Sequence, residues 1–137
     1  MTAHGFNWGA LAFVDYNTGS DIDAVLVNDE ATLTSDEVSL DNLAACEIGV
    51  SCVEDNTGAC DGNVYVYVLG YGATGWQAIA DDLVPIVVIQ QDQNTTRSKS
   101  FSINPQDYGS FKLLIDNDCG QQVAVSVKMR TATFDSL

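Results

Sequence analysis

Hydrophobic and polar residues alternate with a period of two along most of this chain, and the 3.6-residue period of an amphipathic helix is nearly absent. Residues 46–52, CEIGVSC, put Cys46, Ile48, Val50 and Cys52 on one face and Glu47, Gly49 and Ser51 on the other, because successive strand side chains point to opposite sides. Residues 63–71, NVYVYVLGY, set Val64, Val66 and Val68 against Tyr65, Tyr67, Leu69 and Tyr71, the pattern of a central strand covered on both faces. Residues 83–89, LVPIVVI, are continuously apolar and end at Gln90; Pro85 among them cannot donate to a ladder and belongs at an edge or a strand start of the predicted strand 83–90.

Further strands are predicted over 96–103, 110–116 and 121–131. Asn117-Asp118-Cys119-Gly120 between the last two is the strongest hairpin signal in the chain. It predicts Phe111, Leu113 and Ile115 opposite Val123, Val125, Val127 and Met129. Before residue 46 the pattern is weaker, with strands predicted over 10–15, 23–27 and 31–40 between acidic turns. About eight strands at this spacing predict an all-β fold, a single antiparallel β-sandwich or a jelly-roll-like barrel. With no repeat or linker, residues 1–137 read as one domain, with residues 1–9 as an extended N-terminal arm.

Charge changes the picture next. The chain carries a formal net charge of -14, which opposes nucleic acid and anionic membrane surfaces. All five basic residues, Arg97, Lys99, Lys112, Lys128 and Arg130, follow residue 96; with four acids in the last 41 residues, that part sums to +1 and the first 96 residues to -15. The start, MTAHGFNW, has neither a basic segment nor an apolar stretch, so neither secretion nor membrane insertion by the usual routes is expected.

Candidate chemistry is sparse. The single histidine is His4, near a chain end that cannot easily hold it in catalytic geometry, so no enzyme is expected. Gly70, Gly72 and Gly75 follow a strand and precede no helix, which a dinucleotide fingerprint requires; they read as a turn. Asp15, Asn17, Asp21 and Asp23 surround Gly19, but an EF-hand loop starting at Asp15 would need glycine and glutamate where Ser20 and Leu26 stand. A different calcium loop there, or at Glu54, Asp55 and Asp61, is the alternative, and no cofactor is otherwise expected. Cys46, Cys52, Cys60 and Cys119 contain no CxxC pair. They read as buried thiols, or, in an oxidising compartment, as a Cys52–Cys60 bridge across the turn between them.

Aromatic residues supply the one positive hint of a binding face. Tyr65, Tyr67 and Tyr71 share one side of their strand and Trp76 follows the glycine turn, a platform that can stack on a sugar ring, fill a protein interface or pack within the sandwich itself. His4, Phe6, Trp8, Leu11 and Phe13 form an aromatic N-terminal stretch, which either pairs as a first strand or reaches onto a neighbouring subunit.

The runs VYVYVLGYGATGW and TTRSKSFSINPQDYGSFKLLIDNDCGQQVAVSVKMRTAT, which cover about the last half of the chain, resemble small β-sandwich structural proteins of tailed bacteriophages. There an SFS strand, a Tyr-Gly turn, a KLxxDN strand and a VxVSVxxR strand follow one another near the chain end. The resemblance implies a virion structural protein, a capsid decoration or cement subunit assembled in the host cytoplasm. Its partners would be the major capsid protein or other virion subunits, and it would be a homo-oligomer. His4, Phe6 and Trp8 and a basic edge of Arg97, Lys99, Lys128 and Arg130 would make the contacts. The alternative function is a carbohydrate- or receptor-binding module of a tail or fibre, using Tyr65, Tyr67, Tyr71 and Trp76.

Overall fold

A computed structural model describes residues 5–54, 60, 62–92 and 94–135. His4 and the acids Asp55 and Asp61 lie outside the described residues. Seven short strands come first: β1 (Phe6–Trp8), β2 (Ala12–Phe13), β3 (Asp15–Tyr16), β4 (Ser20–Asp21), β5 (Val25–Val27), β6 (Thr32–Thr34) and β7 (Val38–Ser39). Longer strands follow: β8 (Ala45–Glu54), β9 (Asn63–Gly72), the short β10 (Gly75–Trp76), β11 (Val87–Gln90), β12 (Thr96–Ile103), β13 (Ser110–Asp118) and β14 (Val123–Phe134). One 3-10 turn, Ile79–Asp81, lies between β10 and β11.

Two antiparallel sheets are built on the long strands. In the first, β8 lies between β12 and β14, and β1, β2 and β5 line the other side of β14 one after another. In the second, β9 pairs with β13; β10 and β11 flank β9, while β6 and β7 flank β13. The strands β3 and β4 form a separate two-stranded hairpin. The alternation read from sequence now has its physical cause: every second side chain of the long strands faces the opposite sheet. Ile48, Val50, Val125 and Val127 of the first sheet and Val64, Val66, Leu113 and Ile115 of the second are all buried in one cluster. Each such side chain contributes about 1.5–3 kcal/mol by leaving water.

Four sequence expectations need correction. The Asn117–Gly120 turn does not close a hairpin: β13 belongs to the second sheet and β14 to the first, so the chain crosses between sheets here. The fully buried Asn117 explains why. Its Nδ2 donates to the carbonyls of Val27 at 2.9 Å and Gln121 at 2.7 Å, and its Oδ1 accepts the Cys119 amide at 3.1 Å, so the turn is tied to β5 on the far sheet. Phe111, Leu113 and Ile115 therefore meet Val123, Val125 and Val127 across the core, not along a ladder. Second, only Val87–Gln90 of the predicted strand 83–90 forms. Pro85 precedes it, and Val84 is 83% exposed. Third, β9 is central in its sheet but its outer face is only partly covered: Leu69 is buried, Tyr65 and Tyr67 are half-buried, and Tyr71 is 67% exposed. Fourth, the predicted strand 31–40 is broken at Ser35, whose amide donates to the Leu113 carbonyl and whose hydroxyl accepts the Leu113 amide, both at 2.8 Å. Of the three glycines read as a turn, Gly75 alone sits at φ 105° and closes β9 onto β10; Gly70 and Gly72 lie within β9 itself.

Candidate functional site

The first sheet carries a groove on its outer face. Registers across β12, β8 and β14 align Ser98, Ser51 and Ser126 in one row, and Ser100, Gly49 and Lys128 in the next, with Phe13 of β2 beside Lys128. A third row is Ser102, Glu47 and Arg130. Side chains this small across three neighbouring strands leave a depression of about 600 Å³, with Leu11, Phe13, Asp23, Lys128 and Arg130 along its side. Gly49 sits mid-floor; a Cβ there would meet nothing nearer than the Ser100 hydroxyl at 3.6 Å.

Polar groups in the groove are held in fixed geometry. The Ser51 and Ser98 hydroxyls share a hydrogen bond of 2.9 Å, and Ser126 Oγ accepts the Ala24 amide at 2.9 Å. Arg130 forks onto Glu47 Oε2, with Nε at 2.9 Å and Nη2 at 2.8 Å, while its guanidinium lies 4.4 Å from the Trp8 ring centroid. Lys128 Nζ stands 5.0 Å over the Phe13 ring. Such cation–aromatic contacts restrain long basic side chains that would otherwise move freely. The groove thus offers hydroxyls, an ammonium, a guanidinium and two carboxylates beside an aromatic wall.

The basic edge expected from sequence is split. Lys128 and Arg130 face the groove, but Arg97 and Lys99 are in register with the inward-facing Cys52 and Val50. They therefore leave β12 on the other side and line a smaller cleft against β11, of about 500 Å³. Arg97 also pairs with Asp92. Charged side chains on the inner side of an edge strand discourage pairing with another sheet. Of the N-terminal aromatics, Phe6 and Trp8 form β1 against the end of β14, with Phe6 edge-on to Phe134 at 5.9 Å.

Tyr65, Tyr67, Tyr71 and Trp76 lie on the outer face of the second sheet, Tyr71 edge-on to Trp76 at 5.2 Å between centroids and Lys112 Nζ 4.7 Å over Trp76. Tyr65 and Tyr67 are half-buried beside Asp116 and Leu114, and burial raises the Tyr67 phenol above its ordinary range. Sequence reasoning missed a second cleft at the end of this sheet, about 830 Å³, lined by Tyr71, Tyr108, Gln77, Glu37, Asp41 and Asp107.

The calcium loop candidate is committed elsewhere. Asp15 and Asp21 face each other across β3 and β4, and burial together with a hydrogen bond to Asp21 raises the Asp15 carboxyl above its usual range. Asp36 accepts the Thr18 and Gly19 amides at 3.0 and 2.8 Å. Among the described residues, no three His, Cys, Asp or Glu side chains are grouped to hold a metal ion. The four cysteines are free thiols, as the first of the two readings had it, and the Cys52–Cys60 bridge offered for an oxidising compartment is not formed in this structure.

These features define an all-β protein of two packed sheets, a β-sandwich. No protein-family model and no curated protein matches the chain. Among solved structures it is similar to the CBM22-1 xylan-binding domain of Paenibacillus barcinonensis Xyn10C, with TM-score 0.51 and 12% identity over 95% of this chain and 86% of that one. It is also similar to a part of tripeptidyl peptidase 2, with TM-score 0.54 and 11% identity over 88% of this chain. There it spans about a tenth of the longer protein, 10%. The C-terminal CBM6 of LamC, a marine laminarinase from Zobellia galactanivorans, gives TM-score 0.46 at 11% identity over 90% of each chain. At these identities the likeness is one of fold.

Proposed function

We propose that this chain is a non-enzymatic carbohydrate-binding β-sandwich module that takes a neutral saccharide chain in the groove of the first sheet. The observation that carries this reading is the alignment of Gly49, Ser51, Ser98, Ser100 and Ser126 across three strands. Small hydroxyl-bearing residues give up packing surface and present an open trough of donors and acceptors, which suits a ligand covered in hydroxyls. The Arg130–Glu47 pair adds a fixed donor and acceptor. Each such hydrogen bond contributes about 0.5–1.5 kcal/mol net, so affinity comes from several sugar units along the groove. The fold likeness to a xylan-binding domain supports the same reading.

Retardation in native gels containing soluble xylans or β-glucans tests it. Gly49→Trp fills the trough and should abolish retardation at unchanged melting temperature, while Trp76→Ala should leave it. If Trp76→Ala abolishes binding and Gly49→Trp does not, the saccharide sits on the aromatic face of the second sheet. Failure of every polysaccharide to retard the protein removes the reading.

A virion decoration subunit that binds the major capsid protein as an oligomer is the second reading. It is favoured by the sequence resemblance of the C-terminal half and by the exposed Phe6, Trp8 and Phe134 beside one another. Mass spectrometry of purified phage particles tests it, with high copy number expected and complete absence overturning it.

A further inference from the structure

Three of the four thiols meet at one end of the sandwich. Cys52 points inward from β8 and Cys119 lies just past the end of β13, both buried, while Cys60 precedes β9 and is partly exposed. The β9–β13 ladder ends at the pair Asp118 and Asn63, and one step further brings Gly62 against Cys119. Contact there is so close that a Cβ on Gly62 would lie 2.4 Å from the Asp118 carbonyl oxygen and 2.7 Å from the Cys119 Cα. Only glycine permits this approach. Two residues before Gly62, Cys60 packs against the buried cluster that contains Cys119, and the neighbouring Cys119 thiol is among the groups that push the Cys60 thiol up. The Cys119 thiol also donates to the Gln121 carbonyl at 3.3 Å.

We propose that Cys60 and Cys119 form a dithiol oxidation site, closed to a disulfide by a small-molecule disulfide of the glutathione type. The partly exposed Cys60 meets the oxidant first. Its thiolate attacks one glutathione sulfur, forming a mixed disulfide and expelling one glutathione thiolate. The Cys119 thiolate then attacks the Cys60 sulfur and expels the second. The protein dithiol loses two electrons and two protons, and one oxidised glutathione becomes two reduced ones. Cys52 reaches this end from the opposite sheet and is fully buried, so it is the bystander. The bridge ties the segment ahead of β9 to the crossing between sheets, and a crosslink between such distant residues restricts the unfolded chain. Burial pushes the Cys60 thiol up to about 12, so closure is slow at neutral pH and quickens as pH rises, because the thiolate is the nucleophile.

The test incubates the full chain with oxidised glutathione at mildly alkaline pH, alkylates under denaturing, non-reducing conditions and maps the peptides. A Cys60–Cys119 linked peptide with Cys46 and Cys52 alkylated is expected, together with a melting temperature several degrees higher that dithiothreitol reverses. Cys60→Ser, at a partly exposed position the fold tolerates, should show neither change. A link through Cys52, a glutathione adduct on Cys60 that never resolves, or four alkylated cysteines each overturns the proposal.

Discussion

The two sheets differ on their outer sides far more than on their inner ones. Inward, the long strands bury Ile48, Val50, Val125 and Val127 beside Cys46 and Cys52 on the first sheet, and Val64, Val66, Leu113 and Ile115 on the second, each nearly inaccessible to solvent. Outward, β8, β12 and β14 show Gly49, Ser51, Ser98, Ser100 and Ser126, whereas β9 and β13 show Tyr65, Tyr67, Leu69, Lys112 and Leu114. Leu69 is only 4% exposed although it points outward. The second sheet thus keeps a thick, partly covered outer layer, and the first is reduced to glycine and small hydroxyl groups along its floor, with Phe13, Lys128 and Arg130 at the side. Transfer from water explains the inner faces equally for both sheets; it gives no reason for a serine floor beside Phe13. That difference is why the functional reading rests on the first sheet.

If the inner faces are equivalent, Ile48→Ala on the first sheet and Ile115→Ala on the second should each lower stability by about 2–5 kcal/mol. Urea denaturation measures both, and a loss confined to one sheet would break the equivalence. Asn117→Ala comes next. It removes the donor to the Val27 and Gln121 carbonyls and the acceptor for Cys119, leaving groups with unmet hydrogen bonds at about 1–3 kcal/mol. Because Asn117 Oδ1 accepts the buried Cys119 amide, its loss should also expose that amide to hydrogen exchange. Unchanged exchange there would show that the crossing is held by the strands alone.

The same contrast explains what could be read in the sequence. Residues 46–52, 63–69 and 123–127 alternate cleanly because one side of each is fully buried, and burial leaves a period-two signature. β1 to β7 are two or three residues long, too short to show a period. The Asn117–Gly120 segment was misread because its residue types suit any tight turn, and whether two strands share a sheet depends on partners far away, such as Glu54 for Val123. The site was legible only in pieces: Glu47, Gly49 and Ser51 shared one predicted face, and Ser98 and Ser100 alternate with Arg97, Lys99 and Phe101 along 96–103. Their union needed the register between β8 and β12, which no local pattern encodes. Arg97 and Lys99 were grouped with Lys128 and Arg130 for the same lack of register.

Smaller effects separate the thiols each sheet contributes. Burial raises Cys46 to about 11 and Cys52 to about 12 on the first sheet, and Cys60 to about 12 beside the second, against 9.0 for a free thiol. The folded state therefore keeps protons that the unfolded chain releases, so this stability is complete below about pH 9 and declines as pH rises toward 12. Thermal melts of the reduced protein across that window should show the decline. Cys60→Ser should make it shallower, and an identical slope would mean that the first-sheet thiols account for it.

Asp116 gives the smallest effect. It stands on the outer side of the second sheet in register with Tyr65, and burial first, then the nearby Asp118 carboxylate, raises its carboxyl above the ordinary 3.8. A raised acid favours the folded state while protonated, below about 3.8, and that contribution is lost as pH rises through the folded value. At neutral pH the ionised Asp116 opposes folding, and Asp116→Asn should stabilise by a few tenths of a kcal/mol once solvent screening is discounted. The gain should vanish below the ordinary carboxylate range, where the native aspartate is itself neutral. The serine-floored sheet has no counterpart: Glu47 is held by Arg130, so Glu47→Gln should not stabilise. Equal gains from both substitutions would mean that overall negative charge, not the covered outer face of the second sheet, sets the effect.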